Sequence, residues 1–543
     1  MDAGAQWEGR TIGSALRDAG RKFDDQLFLI DKEQRLTFAQ VDALADQLAA
    51  GLLSIGVRRG DHVACWLTNC PTWTILWMAC CRIGACVVSI NTRYKQTEVE
   101  FILRQSNAKV LVAMQRYWDI DYQAMVTSMA PQLMGAGEVE TASSLPGLET
   151  VVFWGDARVP GCLSIDELLA KGADTSMVAR AESEVDPNDP VVIIYTSGTT
   201  GLPKGATHGH RVLMNGANTA RALHMEVGDR VLGHMPFYHV AGSVATTIPA
   251  LQTGCAIVMM SQWDPATAIE LIVAERVAVM GGIPTHFVDL LDVPGVESLD
   301  TSCLKSAWIG GAPVTPKVAK ASLEVLQFDS LMAVWGMTET MGATTLAPFD
   351  APIEVTCANK SKPIGDFEMK VVDPDTGEER GLGADGEIWI RGYVVMQGYY
   401  NNPEATAQAM TPDGWFKTGD LARVDEDGYF QITGRSKEMF IVGGSNAYPA
   451  EIERYLEALP MVHQAMVCGV PHERLGEVCF AFVEPAEGVE CTAQGVIDAC
   501  RSGIADYKVP RQVVVMDEFP RTTTNKIQRY LLQRQAADMT TVA

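Results

Sequence analysis

The residues best equipped for chemistry sit together at Thr196-Ser197-Gly198-Thr199-Thr200-Gly201. Four hydroxyls and two glycines fill six positions there, and Lys204 follows between Pro203 and Gly205. Backbone N–H groups and hydroxyls in such a loop can turn onto a polyanion, with glycine allowing close approach and lysine adding a positive point charge. Residues 191–195, V-V-I-I-Y, form an apolar and mostly β-branched run that reads as a buried strand leading into the loop. The Walker A pattern is missing, because Gly205 follows Lys204 and Pro203 precedes it. A phosphate-gripping loop is therefore expected, but not an ordinary P-loop nucleotidase. A solvated Thr/Ser/Gly turn is the competing reading.

Single candidates recur further along, mostly where a strand ends. His239 closes L-G-H-M-P-F-Y-H and is either a packed ring or a pocket residue. Gly310-Gly311-Ala312 form a small-residue turn, tight for its own sake or bare so that a ligand can pass. In Trp335-Gly336-Met337-Thr338-Glu339 a flat aromatic surface suited to a purine precedes a hydroxyl and an acid. Asp420 is either a turn acid or a carboxylate able to accept both hydroxyls of a ribose. Lys526, in the polar run P-R-T-T-T-N-K-I, reads on its own as an exposed lysine.

In order, these segments resemble the motifs of the adenylate-forming enzymes, the superfamily of acyl-CoA synthetases, adenylation domains and firefly luciferase. The resemblance starts at Tyr195–Gly205 and, with the motifs that follow in family order, covers nearly the whole chain; a fatty-acid or aryl-acid CoA ligase is the nearest type. It implies that Thr196, Ser197, Gly198, Thr199, Thr200, Gly201 and Lys204 hold the β- and γ-phosphates of ATP. Gly310, Gly311 and Ala312 would wall adenine from the acyl group, and Trp335, Gly336 and Met337 would line the purine site. Thr338 would contact the α-phosphate, Glu339 would hold Mg2+, and His239 would lie near the substrate carboxylate. Asp420 would hold the ribose, Arg435 would reach the nucleotide, and Lys437 would be the hinge between domains. Gly443 and Gly444 would approach the pantetheine of coenzyme A. Lys526 would be the adenylation lysine, although Asn525 stands where glycine is usual. Trp335 likewise replaces the tyrosine common in the family.

The implied activity has two steps: a carboxylic acid and ATP give acyl-adenylate and pyrophosphate, then CoA gives the thioester and AMP. A carboxylate is already ionised at neutral pH, which agrees with the lack of an obvious acid–base pair. The alternatives are transfer to a carrier-protein thiol, luciferase-like oxidation and a non-catalytic nucleotide sensor. Met235, Phe237, Tyr238, Met280, Phe287, Trp308, Met337 and Met341 suggest an apolar pocket, and so an acid with an apolar body, with core packing the competing reading for each. Family members are often dimers, so the resemblance allows a homodimer.

Composition narrows the partners. The net charge of −24 argues against nucleic acid and anionic membrane surfaces. Thirteen scattered cysteines, without a C-x-x-C pair in the closest group, fit free thiols in a reducing cytosol. No apolar leader opens the chain, and the expected location is cytoplasmic. Residues 71–90 look most like a membrane span, but Arg82 and Gly84 divide them; a buried helix and strand are expected instead.

The elements that must position the candidates alternate strand with helix twice, over residues 61–113 and again over 230–335, which predicts an α/β fold with mostly parallel sheets. After about residue 364, short strands separated by Asp/Gly turns predict a small β-barrel-like unit. The expected division is an N-terminal AMP- and acyl-binding domain, 1–433, of layered α/β subdomains, and a small mobile C-terminal α/β lid, 434–543.

Overall fold

The structure, a computed structural model, describes residues 2–541 except 33, 135–144, 156, 197–202, 312–313, 315, 374–375, 385, 436–439, 448, 521–526 and 528. It is a mixed α/β protein with a large N-terminal part and a small C-terminal domain, as expected from the alternating pattern.

An eight-stranded sheet contains the first alternating region and is completed by later strands. Its middle strands Pro190–Thr196, Cys86–Ser89, His62–Trp66, Val110–Met114 and Thr150–Trp154 are parallel neighbours. Most of these strands are buried along their whole length, which accounts for continuous apolar runs in place of alternation. The strand Lys204–Gly209 turns back antiparallel on Pro190–Thr196, with Thr196 opposite Lys204. Lys204 therefore belongs to a ladder, where the sequence suggested a mobile loop residue; the β-structure resumes directly after Pro203.

The second region gives the parallel strands Ala256–Met259, Arg230–Gly233, Val279–Gly282, Ser306–Gly310 and Ser330–Trp335, and Leu27–Ile30 from the start of the chain joins them in parallel beside Ala256–Met259. Through Thr345–Leu346 and Lys360–Pro363 the ladder runs on into the antiparallel strands Phe430–Arg435, Phe416–Val424, Gly386–Arg391 and Glu368–Val372. Asp420 stands opposite Arg435 near the end of this ladder.

The membrane-like segment proves to be interior. The helix Pro71–Arg82 is buried at nearly every position, and no helix among the described residues is long and apolar enough to cross a membrane. Its one charge, Arg82, is fully buried and paired with Asp42 and Asp46 of the helix Phe38–Ser54. Two carboxylates beside the guanidinium offset the cost of removing it from water.

The C-terminal domain has a five-stranded sheet, dominated by the hairpin Val462–His472 and Gly476–Pro485, and two apolar clusters of its own. The helices Pro449–Glu457, Ala493–Gly503 and Arg529–Thr541 complete it.

Candidate active site

Parallel strands bring their carboxyl ends side by side, and the loops that leave those ends enclose a cavity of about 400 Å³. The first sheet supplies Thr68 and Asn69, Asn91–Tyr94, and Tyr195 with Thr196; the second supplies His234 and Met235, Ile283, Gly310 and Gly311, and Gly336–Thr338. Gly443, Gly444, Ser445 and Tyr507 of the C-terminal domain close another side.

Of the candidates named from sequence, Thr196, His239, Gly310, Gly311, Gly336, Met337, Thr338, Gly443 and Gly444 share this cavity. Ser197, Gly198, Thr199, Thr200, Gly201, Ala312, Lys437 and Lys526 lie outside the described residues, as does the side chain of Arg435. Trp335 and Asp420 are both buried and joined: the indole Nε1–H donates to Asp420 Oδ2 at 2.8 Å. The aromatic surface and the carboxylate thus form one unit. Lys204 Nζ lies 5.3 Å from the centre of the Tyr399 ring, and the Tyr399 hydroxyl donates to Glu339 Oε1 at 2.8 Å.

Two glycines are required by close backbone packing. A Cβ on Gly310 would sit 2.3 Å from the Val334 carbonyl oxygen, and one on Gly336 would sit 1.6 Å from that of Gly342. Gly443 and Gly444 instead have φ of 53° and 80°, a left-handed region that favours glycine.

His239 is placed by Asn69, a residue the motif reading missed. The Asn69 amide donates to the carbonyls of Gly233 and Met235, both at 2.9 Å, and its oxygen accepts from the Phe237 N–H at 2.8 Å. The segment leading to His239 is pinned by these three bonds. His239 Nδ1 accepts from the Ala241 N–H at 3.3 Å, and burial lowers the imidazole pKa to about 4. The ring is therefore neutral at pH 7 with its proton on Nε2, a donor for a carboxylate or carbonyl oxygen.

Four of the apolar pocket residues expected from sequence, Met235, Tyr238, Trp308 and Met337, do line the cavity. Phe237, Met280, Phe287 and Met341 are core residues instead. Met280 shows the reason: side chains alternate along a strand, and this one faces the packed layer. In their place the cavity has a polar aromatic cluster. His234 Nε2 and His286 Nδ1 are 3.2 Å apart, with the Trp263 ring 4.2 Å from that of His286. Burial, reinforced for His234 by its neighbour, lowers both histidines, His286 to about 3. These residues come from separate elements, and no local pattern marks them.

Glu339 is buried and carries one carboxylate beside Thr338. A single carboxylate suits Mg2+ held mainly by substrate phosphates and water, so the residues fit that ion. Among the described residues, no three His, Cys, Asp or Glu side chains form a metal cage.

Residues 16–400 match the AMP-binding enzyme family, and residues 451–526 match the AMP-binding enzyme C-terminal domain. The chain is 34% identical over 535 residues to Bacillus subtilis YngI, named as an acyl-CoA synthetase, covering 97% of each. It is also 34% identical over 544 residues to the mitochondrial medium-chain acyl-CoA ligase ACSF2 of Bos taurus, covering 98% of this chain and 88% of the relative. The amide bond synthetase McbA of Marinactinospora thermotolerans shares the fold, with a TM-score of 0.83, 24% identity, and coverage of 97% of this chain and 100% of McbA. By both matches and by this near full-length similarity, the chain belongs to the AMP-binding enzyme family.

Proposed function

We propose that this protein is an ATP-dependent carboxylic acid–CoA ligase that forms an acyl-adenylate and pyrophosphate, then acyl-CoA and AMP. The observation that carries the reading is a single cavity shared by Thr196, His239, the Gly310–Gly311 turn, Thr338 and, from the C-terminal domain, Gly443 and Gly444. Relatives named as an acyl-CoA synthetase and a medium-chain acyl-CoA ligase support it. An acid with an apolar body of moderate size suits the lining by Met235, Tyr238, Trp308 and Met337.

In the first step the substrate carboxylate attacks the α-phosphorus. The protein's task is to hold two anions together and stabilise the charge on the transferring group. The Nε2–H of neutral His239 would orient the carboxylate, and Thr338 would bond the α-phosphate. The 196–204 loop would hold the outer phosphates, and Trp335 and Asp420 would hold adenine and ribose. Glu339 would hold Mg2+, whose positive charge would offset that of the triphosphate. Lys526 would stabilise the phosphoryl charge. In the second step the CoA thiol attacks the acyl carbonyl and AMP leaves. The C-terminal domain, with its boundary at 434, would turn about Lys437, withdrawing Lys526 and presenting the Gly443–Gly444 face.

An acid panel with ATP, Mg2+ and CoA, read by AMP release and thioester mass, tests the activity. Thioester formed only on an added carrier protein would favour carrier loading, and no acid-dependent pyrophosphate exchange would refute the enzyme reading. Lys526→Ala is expected to slow adenylate formation about a hundredfold or more while sparing thioester formation from supplied acyl-adenylate. Equal impairment of the two half-reactions would refute that role.

A further inference from the structure

Lys508 is a charge for which the reaction above has no use. It ends the short helical turn Asp506–Lys508 of the C-terminal domain, and its side chain is fully buried. Its ammonium donates to Glu451 Oε1 at 2.5 Å, within the same domain, and to Glu98 Oε1 at 2.7 Å, on the helix Gln96–Gln105 of the N-terminal part. The Tyr94 and Tyr507 rings lie 5.0 Å and 5.5 Å from the same nitrogen, and both tyrosines line the cavity.

Glu98 is held ready for this contact. Its other oxygen accepts from the Lys95 N–H at 3.0 Å, closing the cap of its helix. On the other side, the strand Ser445–Ala447, which follows Gly443 and Gly444, packs against the turn that carries Lys508. A chain of contacts therefore runs from Glu98 through Lys508 to the glycine face of the cavity.

A buried ammonium is costly unless carboxylates compensate it, and removing one partner of such a set is strongly unfavourable. Glu451 would travel with Lys508 in any domain movement, whereas Glu98 would stay behind. The bond to Glu98 thus exists only while the C-terminal domain is docked as seen here.

We propose that Lys508 is a positioning residue for thioester formation: its bond to Glu98 docks the C-terminal domain in the orientation that sets Gly443–Ser445 on the cavity. This rests on the two-step reading given above. Glu98→Gln removes the cross-domain charge and leaves Lys508 with Glu451. Two half-reactions are measured on the full chain: acid-dependent ATP–pyrophosphate exchange, and single-turnover thioester formation from supplied acyl-adenylate and CoA. The expected result is unchanged exchange with thioester formation slowed about tenfold, the effect of 1.4 kcal/mol on docking. Glu98→Asp, which returns the charge on a shorter arm, is expected to recover part of that loss. Equal slowing of both half-reactions, as a loss of general stability would give, overturns the proposal, and so does an unchanged thioester rate. A wild-type chain that makes no thioester overturns the ligase reading itself, before any variant is compared.

Discussion

Replacing Trp335 with Phe keeps an aromatic face but deletes the donor that meets Asp420 Oδ2 at 2.8 Å. Asp420 is only 4% exposed, so water does not readily replace that donor. A hydrogen bond to a charged group contributes about 1.5–3 kcal/mol, equivalent to about 10- to 150-fold in an equilibrium or rate constant. If the pair holds adenine and ribose as one unit, the loss falls on ATP. ATP–pyrophosphate exchange at saturating acid should show kcat/KM for ATP reduced by a factor in that range, with little change in the KM for the acid. Trp335→Tyr, which restores a hydroxyl donor and matches the residue common in the resembling family, should recover part of it. An unchanged ATP dependence in Trp335→Phe would refute the reasoning, and so would a loss confined to the acid.

The alanine substitution at Gly336 should be severe, because the new Cβ would lie 1.6 Å from a backbone oxygen that has no flexible end to move. A loss of about 3 kcal/mol in denaturant unfolding is expected. Stability should also fall in mild acid. His210 is buried, accepts from the Ile12 N–H, and has its pKa lowered by burial to about 4. Unfolded imidazoles take up a proton near pH 6.5, so between that value and 4 the unfolded chain binds more protons and stability drops as pH is lowered. By pH 5 this one residue should account for about 2 kcal/mol, and His210→Gln should flatten the pH dependence of the unfolding midpoint accordingly.

The parts of the site that were legible in the sequence are those in which chemistry and backbone coincide. The strand before Thr196 and the small residues at Gly310–Gly311 are local features, and each ends beside the cavity. What stayed hidden depends on tertiary contact. Trp335 and Asp420 are separated by 85 positions, and only the folded ladder joins the indole to the carboxylate. His234 and His286 read as isolated histidines until the turn after one strand meets the helix Pro284–Leu291 that follows another. Tyr399, which bonds Glu339, comes from the two-residue edge strand Gly398–Tyr399, too short for any periodicity. Met235, which lines the cavity, and Met280, which is packed in the core, show the remaining limit: an apolar run identifies a buried segment but not which side chains meet a ligand.

The pairing of Asp420 with Arg435 has a mechanical corollary. It fastens Arg435, the last described residue before position 440, to the strand that carries Asp420. If Asp420 holds the ribose and the C-terminal domain turns just after Arg435, as proposed, the pivot follows the nucleotide-holding strand directly along the chain. The bound adenylate would then stay still while the machinery around it is exchanged, so the intermediate need not be released between the two halves of the reaction.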